Sequence, residues 1–141
     1  MAGKTMRVRL DRIGTAAFEA VAEGSGGKVV LDGSPEIGGE GRGMRPMELM
    51  LTAIASCAAM DVVHILRKQR EPLESLHIEV EGDRADATPA PFTAIRVVLV
   101  ANAAVDAHKL ERAVSLAVEK YCSATASLDP SISVTWEARR A

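Results

Sequence analysis

Residues 48–61 read ELMLTAIASCAAMD, and the predicted fold is built around this apolar stretch. Pro46 stands just before it, and a proline fits the first turn of a helix because its missing N–H needs no intrahelical partner there. The basic segment RKQR (67–70) and then Pro72 follow it, as expected for a helix end whose dipole favours positive charge. The sequence therefore predicts a helix over residues 47–69.

Alternation of apolar and polar residues with period two predicts strands on both sides of this helix. The predicted strands cover residues 4–10, 15–22, 28–33, 73–83, 92–101 and 131–138. Apolar side chains at helical spacing predict a second helix over 106–122, with Asp106 as its N-cap. The element order is β-β-β-α-β-β-α-β, and its hairpin-like neighbours favour an α+β fold with antiparallel sheets.

Length and composition are typical of a soluble protein with one domain, here over 1–141. A net charge of −2 and an aromatic content of 3% provide neither the basic surface nor the stacking rings that nucleic-acid binding uses. No signal sequence is visible at the N-terminus, and the apolar run 47–60 is shorter than the ~20 residues of a membrane span. We expect a cytoplasmic protein with no nucleic-acid or membrane partner.

Two cysteines, Cys57 and Cys122, are the candidates for chemistry. Structural disulfides are rare in the cytoplasm, and a free cysteine often only fills the core. Cys57 is surrounded by small residues, and a polar line at positions 48, 52 and 56 follows the same helix. A core residue does not require that polar line. Inert packing and a reactive thiol are both open on this pattern alone.

No metal site or phosphate site is predicted. Zinc requires three or four protein ligands, whereas His64, His77 and His108 are scattered without ligand spacing. The segment GGEGRG (38–43) lacks the Lys-Ser/Thr ending of a phosphate-binding loop. We therefore expect no bound metal and no bound cofactor.

The pattern RPMELMLTAIASCAAMDVVHIL (45–66), two strands, and AVSLAVEKYCSATASL (113–128) before a final strand resembles the OsmC/Ohr family of bacterial thiol-dependent peroxidases. The segment EKYCS (119–123) is most similar to the YhfA-like branch. The resemblance covers nearly the whole chain. It implies antiparallel sheets around central helices in an intertwined homodimer, with active sites at the subunit interface. The apolar first helix agrees with a dimer, since the chain has too little sheet of its own to cover it.

The resemblance also implies the chemistry of the two cysteines. Cys57 would be the peroxidatic residue, whose thiolate attacks a small apolar hydroperoxide and becomes a sulfenic acid. Cys122 would be the resolving residue, which condenses with Cys57 to a disulfide. An external thiol or dithiol would then restore both thiols.

One family position differs in this sequence. In the peroxidases of this family the helix begins Asn-Pro-Glu, and that glutamate pairs with an arginine that supports the thiolate, whereas Met47 stands there in this chain. The candidates for substitute support are Glu48, Arg42, Arg45 and Glu119. Without the family pair we expect a slow reaction at neutral pH.

Two alternative functions are open on the same fold. One is a non-catalytic module that binds a small lipophilic molecule, for which several methionines near the first helix would provide an adaptable pocket. The other is a thiol redox sensor without turnover.

Overall fold

The structure is a computed structural model that describes residues 3–141. The strands are β1 (Val8–Arg12), β2 (Phe18–Ala22), β3 (Lys28–Leu31), β4 (Leu76–Arg84), β5 (Phe92–Ala101) and β6 (Ser133–Arg140). The helices are α1 (Pro46–Lys68), α2 (Ala107–Leu116) and α3 (Ser123–Ala126), with a 3-10 turn at Pro35–Ile37 and a π-helical turn at Ala117–Tyr121. The predicted order of strands and long helices is confirmed. The chain divides into two compact units, one up to Met50 and one over Leu51–Ala141, and their membership of one domain stays a prediction.

The first unit contains a three-stranded sheet in the order β1-β2-β3. Both strand pairs are antiparallel, as predicted. Every residue of β1 is exposed, and the apolar side chains of Met6, Val8 and Leu10 lie on the surface. The first unit therefore carries an apolar edge strand that this chain leaves uncovered.

Asp32 organises the glycine-rich loop between β3 and α1. Its side chain is buried, and its oxygens accept hydrogen bonds from the backbone N–H groups of Gly33, Glu40 and Arg42 at 2.8, 2.9 and 3.1 Å. These bonds, that from Glu40 first, hold the pKa of Asp32 below its ordinary value. The sequence predicts a loop here but not the buried carboxylate that shapes it.

Helix α1 begins and ends within one residue of its predicted bounds. The Oε1 atom of Glu48 accepts a hydrogen bond from the backbone N–H of Arg45 at 2.9 Å, as the third helical residue does in a capping box. At the other end Arg70 has a φ of 57°, and a left-handed residue there closes the helix. The 23-residue helix is long and apolar enough to cross a membrane. Length and composition are weak evidence for a membrane span, because the core helices of soluble proteins have the same properties.

The second unit contains a sheet in the order β4-β5-β6. Strand β5 is central, as its apolar sequence predicts. Strands β4 and β5 are antiparallel, but β6 pairs with β5 in parallel, with Trp136 opposite Val97. The prediction of antiparallel sheets is wrong at this pair. The chain passes from β5 to β6 through α2, and a crossover helix returns the chain to the end of the sheet from which the strand started.

Helix α2 carries the buried apolar stripe that its sequence predicts. The stripe consists of Leu110, Ala113 and Val114 in the helix and Ala117 and Val118 in the following turn. Asp106 caps the helix as predicted, since its Oδ2 atom accepts a hydrogen bond from the backbone N–H of Lys109 at 3.0 Å. The predicted continuous helix over 106–122 is interrupted after Leu116, where the π-helical turn begins.

Candidate active site

Cys57 lies in the middle of α1 between a packed side and an open side of the helix. Its side chain is half-buried. The next two residues, Ala58 and Ala59, are buried, whereas Ala53, one turn earlier, is exposed. Alanine has no side chain beyond Cβ, so these three neighbours cover little of the Cys57 side chain.

Cys122 is positioned by a break in regular helical geometry. In the π-helical turn the backbone N–H of Cys122 donates to the carbonyl oxygen of Ala117 at 2.8 Å. Such turns are rare and are frequent at functional sites. Cys122 itself has extended backbone angles and is the N-cap residue of α3. Its side chain is only 2% exposed, so the break places the sulfur inside the protein.

The fold brings the two thiols together from different helices. Both cysteines are free, and the side chain of Cys57 is a hydrogen-bonding neighbour of the Cys122 thiol. The Sγ atom of Cys122 also lies 3.8 Å from the carbonyl oxygen of Ile54, which is one turn before Cys57 on α1. Cys122 therefore packs against the turn of α1 that carries Cys57.

Thr125 provides two hydrogen bonds to the sulfur of Cys122. Its backbone N–H donates at 3.4 Å and its hydroxyl at 3.2 Å. Burial raises the pKa of the Cys122 thiol, both bonds from Thr125 lower it, and the neighbouring Cys57 raises it, with a net increase above the ordinary value of a cysteine. Cys122 is thus a neutral thiol at pH 7, with donors already in place for its anionic form.

Of the predicted supporting residues in the first unit, Glu48 and Arg42 hydrogen-bond to backbone groups of that unit, and Arg45 is exposed. The carboxylate of Glu48 bonds to the backbone at the start of α1. The Nη1 atom of Arg42 donates to the carbonyl oxygen of Ile13 at 2.7 Å, and Arg45 is exposed. Met47, at the family's glutamate position, is half-buried in the first turn of α1. Support of the thiolate by Glu48, Arg42 or Arg45 stays a prediction.

Both carboxylate oxygens of Glu119 have hydrogen-bond partners in the second unit. One accepts from the indole N–H of Trp136 at 2.9 Å and the other from the hydroxyl of Ser115 at 3.3 Å. The bond from Trp136 ties the π-helical turn to β6, and the bond from Ser115 ties it to α2. A role for Glu119 in supporting the thiol stays a prediction. Within residues 3–141, no group of three or more histidine, cysteine, aspartate or glutamate side chains is arranged to hold a metal ion.

Two residues near the thiols have no predicted role from the sequence. Thr125 follows Cys122 at the spacing of an N-cap residue and its third helical residue. This spacing could have predicted the contact between the two residues. Asp61 lies one turn after Cys57, and its Oδ2 atom is buried with no hydrogen-bond partner among the described residues. An unpaired buried oxygen costs free energy, so Asp61 is a position where a donor from another molecule would stabilise the protein.

A shallow apolar groove lies along the face of α1 that carries Ser56 and Met60. It is lined by Ser56, Ala59, Met60, Val63, Leu76 and Ile78. Met60 is 70% exposed, which is unusual for a large apolar residue surrounded by others. Exposed apolar surface of this kind marks sites where a partner or a ligand binds.

Comparison with known proteins identifies relatives over most of the chain. The profile of the OsmC-like protein family matches residues 39–137. Protein YhfA of Escherichia coli is 32% identical over 112 residues, which cover 79% of this chain and 81% of YhfA. The crystal structure of a hypothetical protein from Aquifex aeolicus has a TM-score of 0.82 and 33% identity, with 99% of both chains covered.

A more distant structure has the same fold. The organic hydroperoxide resistance protein OhrB of Bacillus subtilis has a TM-score of 0.67, with 96% of this chain and 98% of that protein covered. Its sequence is only 18% identical, so this likeness concerns the fold alone.

Proposed function

This chain belongs to the OsmC-like protein family, in its YhfA-like branch, and we propose that it reduces organic hydroperoxides with the thiol pair Cys57 and Cys122. The observation that carries the proposal is the contact between two free thiols from distant parts of the sequence. Packing explains one buried cysteine, but it gives no reason for two cysteines to become hydrogen-bonding neighbours.

Cys57 is the proposed nucleophile because it is the more exposed of the two thiols. Its thiolate attacks one oxygen of the hydroperoxide, an S–O bond forms, and the O–O bond breaks. The electron pair leaves with the alkoxide, which takes a proton and becomes an alcohol. The sulfur is oxidised to a sulfenic acid while the peroxide is reduced by two electrons. The apolar side chains near Cys57 on α1, among them Ala59 and Met60, support an organic substrate, because apolar linings bind apolar groups.

Cys122 is the proposed resolving residue because its sulfur lies beside Cys57. It attacks the sulfenic sulfur, so that an S–S bond forms and the S–O bond breaks. The hydroxide leaves with the proton of the Cys122 thiol as water. An external thiol or dithiol then reduces the disulfide by exchange and is itself oxidised. The cycle uses no bound cofactor.

The proposed functional form is a homodimer in the cytoplasm. Two surfaces support the dimer, the exposed β1 strand in the first unit and the groove around Met60 in the second. Interfaces of obligate dimers bury more than ~2,000 Å², and such an interface would remove much of this apolar surface from water. A reducing compartment agrees with the two free thiols.

A second candidate is the non-catalytic binding of a small lipophilic molecule. The groove around Met60 favours it, because a flexible thioether beside branched apolar side chains adapts to different ligands. In this function the thiol pair would play no part, so substitution of Cys57 would leave the binding affinity unchanged.

The test is consumption of cumene hydroperoxide with a dithiol, measured for the wild type, Cys57→Ser and a matched control. Ser127→Ala is the control, because its hydroxyl donates to the carbonyl oxygen of Ser123 at 2.8 Å and not to a thiol, and the residue lies outside the groove. We expect turnover by the wild type and the control and none above background by Cys57→Ser. Oxidation of Cys57 without turnover would indicate a redox sensor, and no reaction would leave the binding function.

A further inference from the structure

We propose that Thr125 is a positioning residue that orients the sulfur of Cys122 and stabilises its negative charge while it attacks Cys57. The inference rests on the proposed function of the thiol pair. It assigns to Thr125 a role in the resolving step and none in the reaction with hydroperoxide.

The contacts around Cys122 fix the direction of its thiol. The sulfur faces two donors of Thr125, the backbone N–H at 3.4 Å and the hydroxyl at 3.2 Å. On another side it faces an acceptor, the carbonyl oxygen of Ile54 at 3.8 Å. The thiol proton therefore has its acceptors on the α1 side, at the carbonyl oxygen of Ile54 and at Cys57, and the sulfur lone pairs face the donors of Thr125. Because only 2% of the residue is exposed, water does not replace these partners.

These donors matter most when the sulfur carries negative charge. A buried thiolate is costly because it leaves water, and the carbonyl oxygen of Ile54 repels it. Hydrogen bonds strengthen when their acceptor becomes charged, and donors fixed in advance are most effective in a site that excludes water. As the S–S bond forms, the proton of Cys122 passes to the departing hydroxide, and the hydroxyl of Thr125 keeps its own proton throughout.

Of the two donors, only the hydroxyl depends on which side chain stands at position 125. The backbone N–H would donate to the sulfur with any residue other than proline at this position. Thr125→Val keeps the branched shape and the backbone bond but removes the hydroxyl, and Thr125→Ser restores the hydroxyl. Ser127→Ala is the matched control, because it removes a nearby hydroxyl that donates to the carbonyl oxygen of Ser123 at 2.8 Å and not to sulfur.

The first arm of the experiment titrates Cys122 in the Cys57→Ser protein, so that no thiol pair is present. The carbon NMR shift of the cysteine Cβ follows the ionisation at the buried site. We expect Thr125→Val to move the titration to higher pH, and Thr125→Ser and Ser127→Ala to leave it in place. An unchanged titration in Thr125→Val overturns the proposal.

The second arm follows one turnover with cumene hydroperoxide in proteins that retain both cysteines. Thr125→Val should slow disulfide formation at least about tenfold, the effect of losing one hydrogen bond to a charged group. The rate of Cys57 oxidation should not change, and Thr125→Ser should restore disulfide formation. Equal slowing of both steps would indicate a general loss of structure and would overturn the proposal.

The two arms separate this inference from the proposed function. If Cys57 does not react with hydroperoxide in the wild type, the proposed function fails, and the role of Thr125 in resolution fails with it. If Cys57 reacts but the titration of Cys122 does not change when the Thr125 hydroxyl is removed, the proposed function stands and this inference alone is wrong.

Discussion

The two thiols share one site, but the chain builds their surroundings in different ways. Cys57 lies in a regular helix among alanines and is half-exposed. Cys122 lies after a π-helical turn, is buried, and accepts two hydrogen bonds from Thr125. An open sulfur can meet a substrate that arrives from solution, whereas a buried and oriented sulfur can meet only its neighbour. In the proposed reaction, this difference assigns the attack on substrate to Cys57 and the resolving step to Cys122.

Reversed roles for the two cysteines would break this comparison. We expect Cys57→Ser to abolish oxidation by one equivalent of cumene hydroperoxide, because it removes the exposed sulfur. Cys122→Ser should still form one sulfenic acid at Cys57 but should not form the disulfide. Trapping with dimedone followed by mass spectrometry distinguishes these products. Oxidation of Cys122 in the Cys57→Ser protein, with Cys57 unreactive in the other variant, would reverse the assignment.

The open side of Cys57 is expected to face a second copy of the chain. Met60→Asp places a carboxylate in the apolar groove that includes Leu76 and Ile78. Because an unpaired charge is costly to bury, the dissociation constant of the dimer should rise at least about a hundredfold. Sedimentation velocity over a range of concentrations measures this change.

The control for this dimer prediction is Arg112→Glu, which changes an exposed charge on α2. It should leave the dissociation constant of the dimer close to the wild-type value. A wild-type protein that is monomeric at micromolar concentration would contradict the prediction, and so would a Met60→Asp protein that still dimerises normally.

The sequence predicts the features that local periodicity controls. The element order, the bounds of α1, the Asp106 cap and the buried stripe of α2 all follow from spacing and capping. The parallel pairing of β6 with β5 does not follow from spacing or capping, because it depends on the end of the sheet to which the crossover helix returns the chain. No residue type or spacing in the sequence distinguishes the π-helical turn from the α-helix before it, so the sequence predicts a continuous helix there.

The candidate site is less accessible to sequence reasoning than the fold. No spacing rule connects Cys57 with Cys122, and their pairing was inferred from a family resemblance. Thr125 follows Cys122 at N-cap spacing, but α3 has only four residues, too few for a periodic pattern. Asp32 stands before a glycine in a glycine-rich loop, which is typical of an ordinary turn residue, and only the fold reveals its three backbone donors.

Stability at alkaline pH would sharpen the contrast between the two thiols. Burial is the largest cause of the raised pKa of Cys122, whereas the unfolded chain ionises near ~8.5. Above that pH the folded protein keeps a proton that the unfolded chain loses, so stability declines as pH rises. Urea unfolding under reducing conditions should show this decline in the wild type and a weaker one in Cys122→Ala.

Cys57→Ala is the control for the alkaline decline. It should retain most of the decline, because Cys57 ranks after burial among the causes of the raised pKa of Cys122. Equal declines in the wild type and Cys122→Ala would contradict the proposed burial effect.

The smallest effect is expected at Asp32, outside the thiol pair, and it has the opposite pH dependence. Its pKa is lowered in the folded protein by three backbone donors, so it stabilises the fold above the unfolded value of ~3.9 and loses this contribution as pH falls through the folded pKa. Asp32→Asn should therefore lower the urea midpoint at neutral pH, and the gap to the wild type should narrow in acid. Asp11→Asn is the control, because its ion pair with Arg9 is exposed and such pairs contribute little. If the difference in urea midpoint between the wild type and Asp32→Asn stays constant down to acid pH, the negative charge of Asp32 does not stabilise the loop. The shape of the side chain would then account for the whole difference.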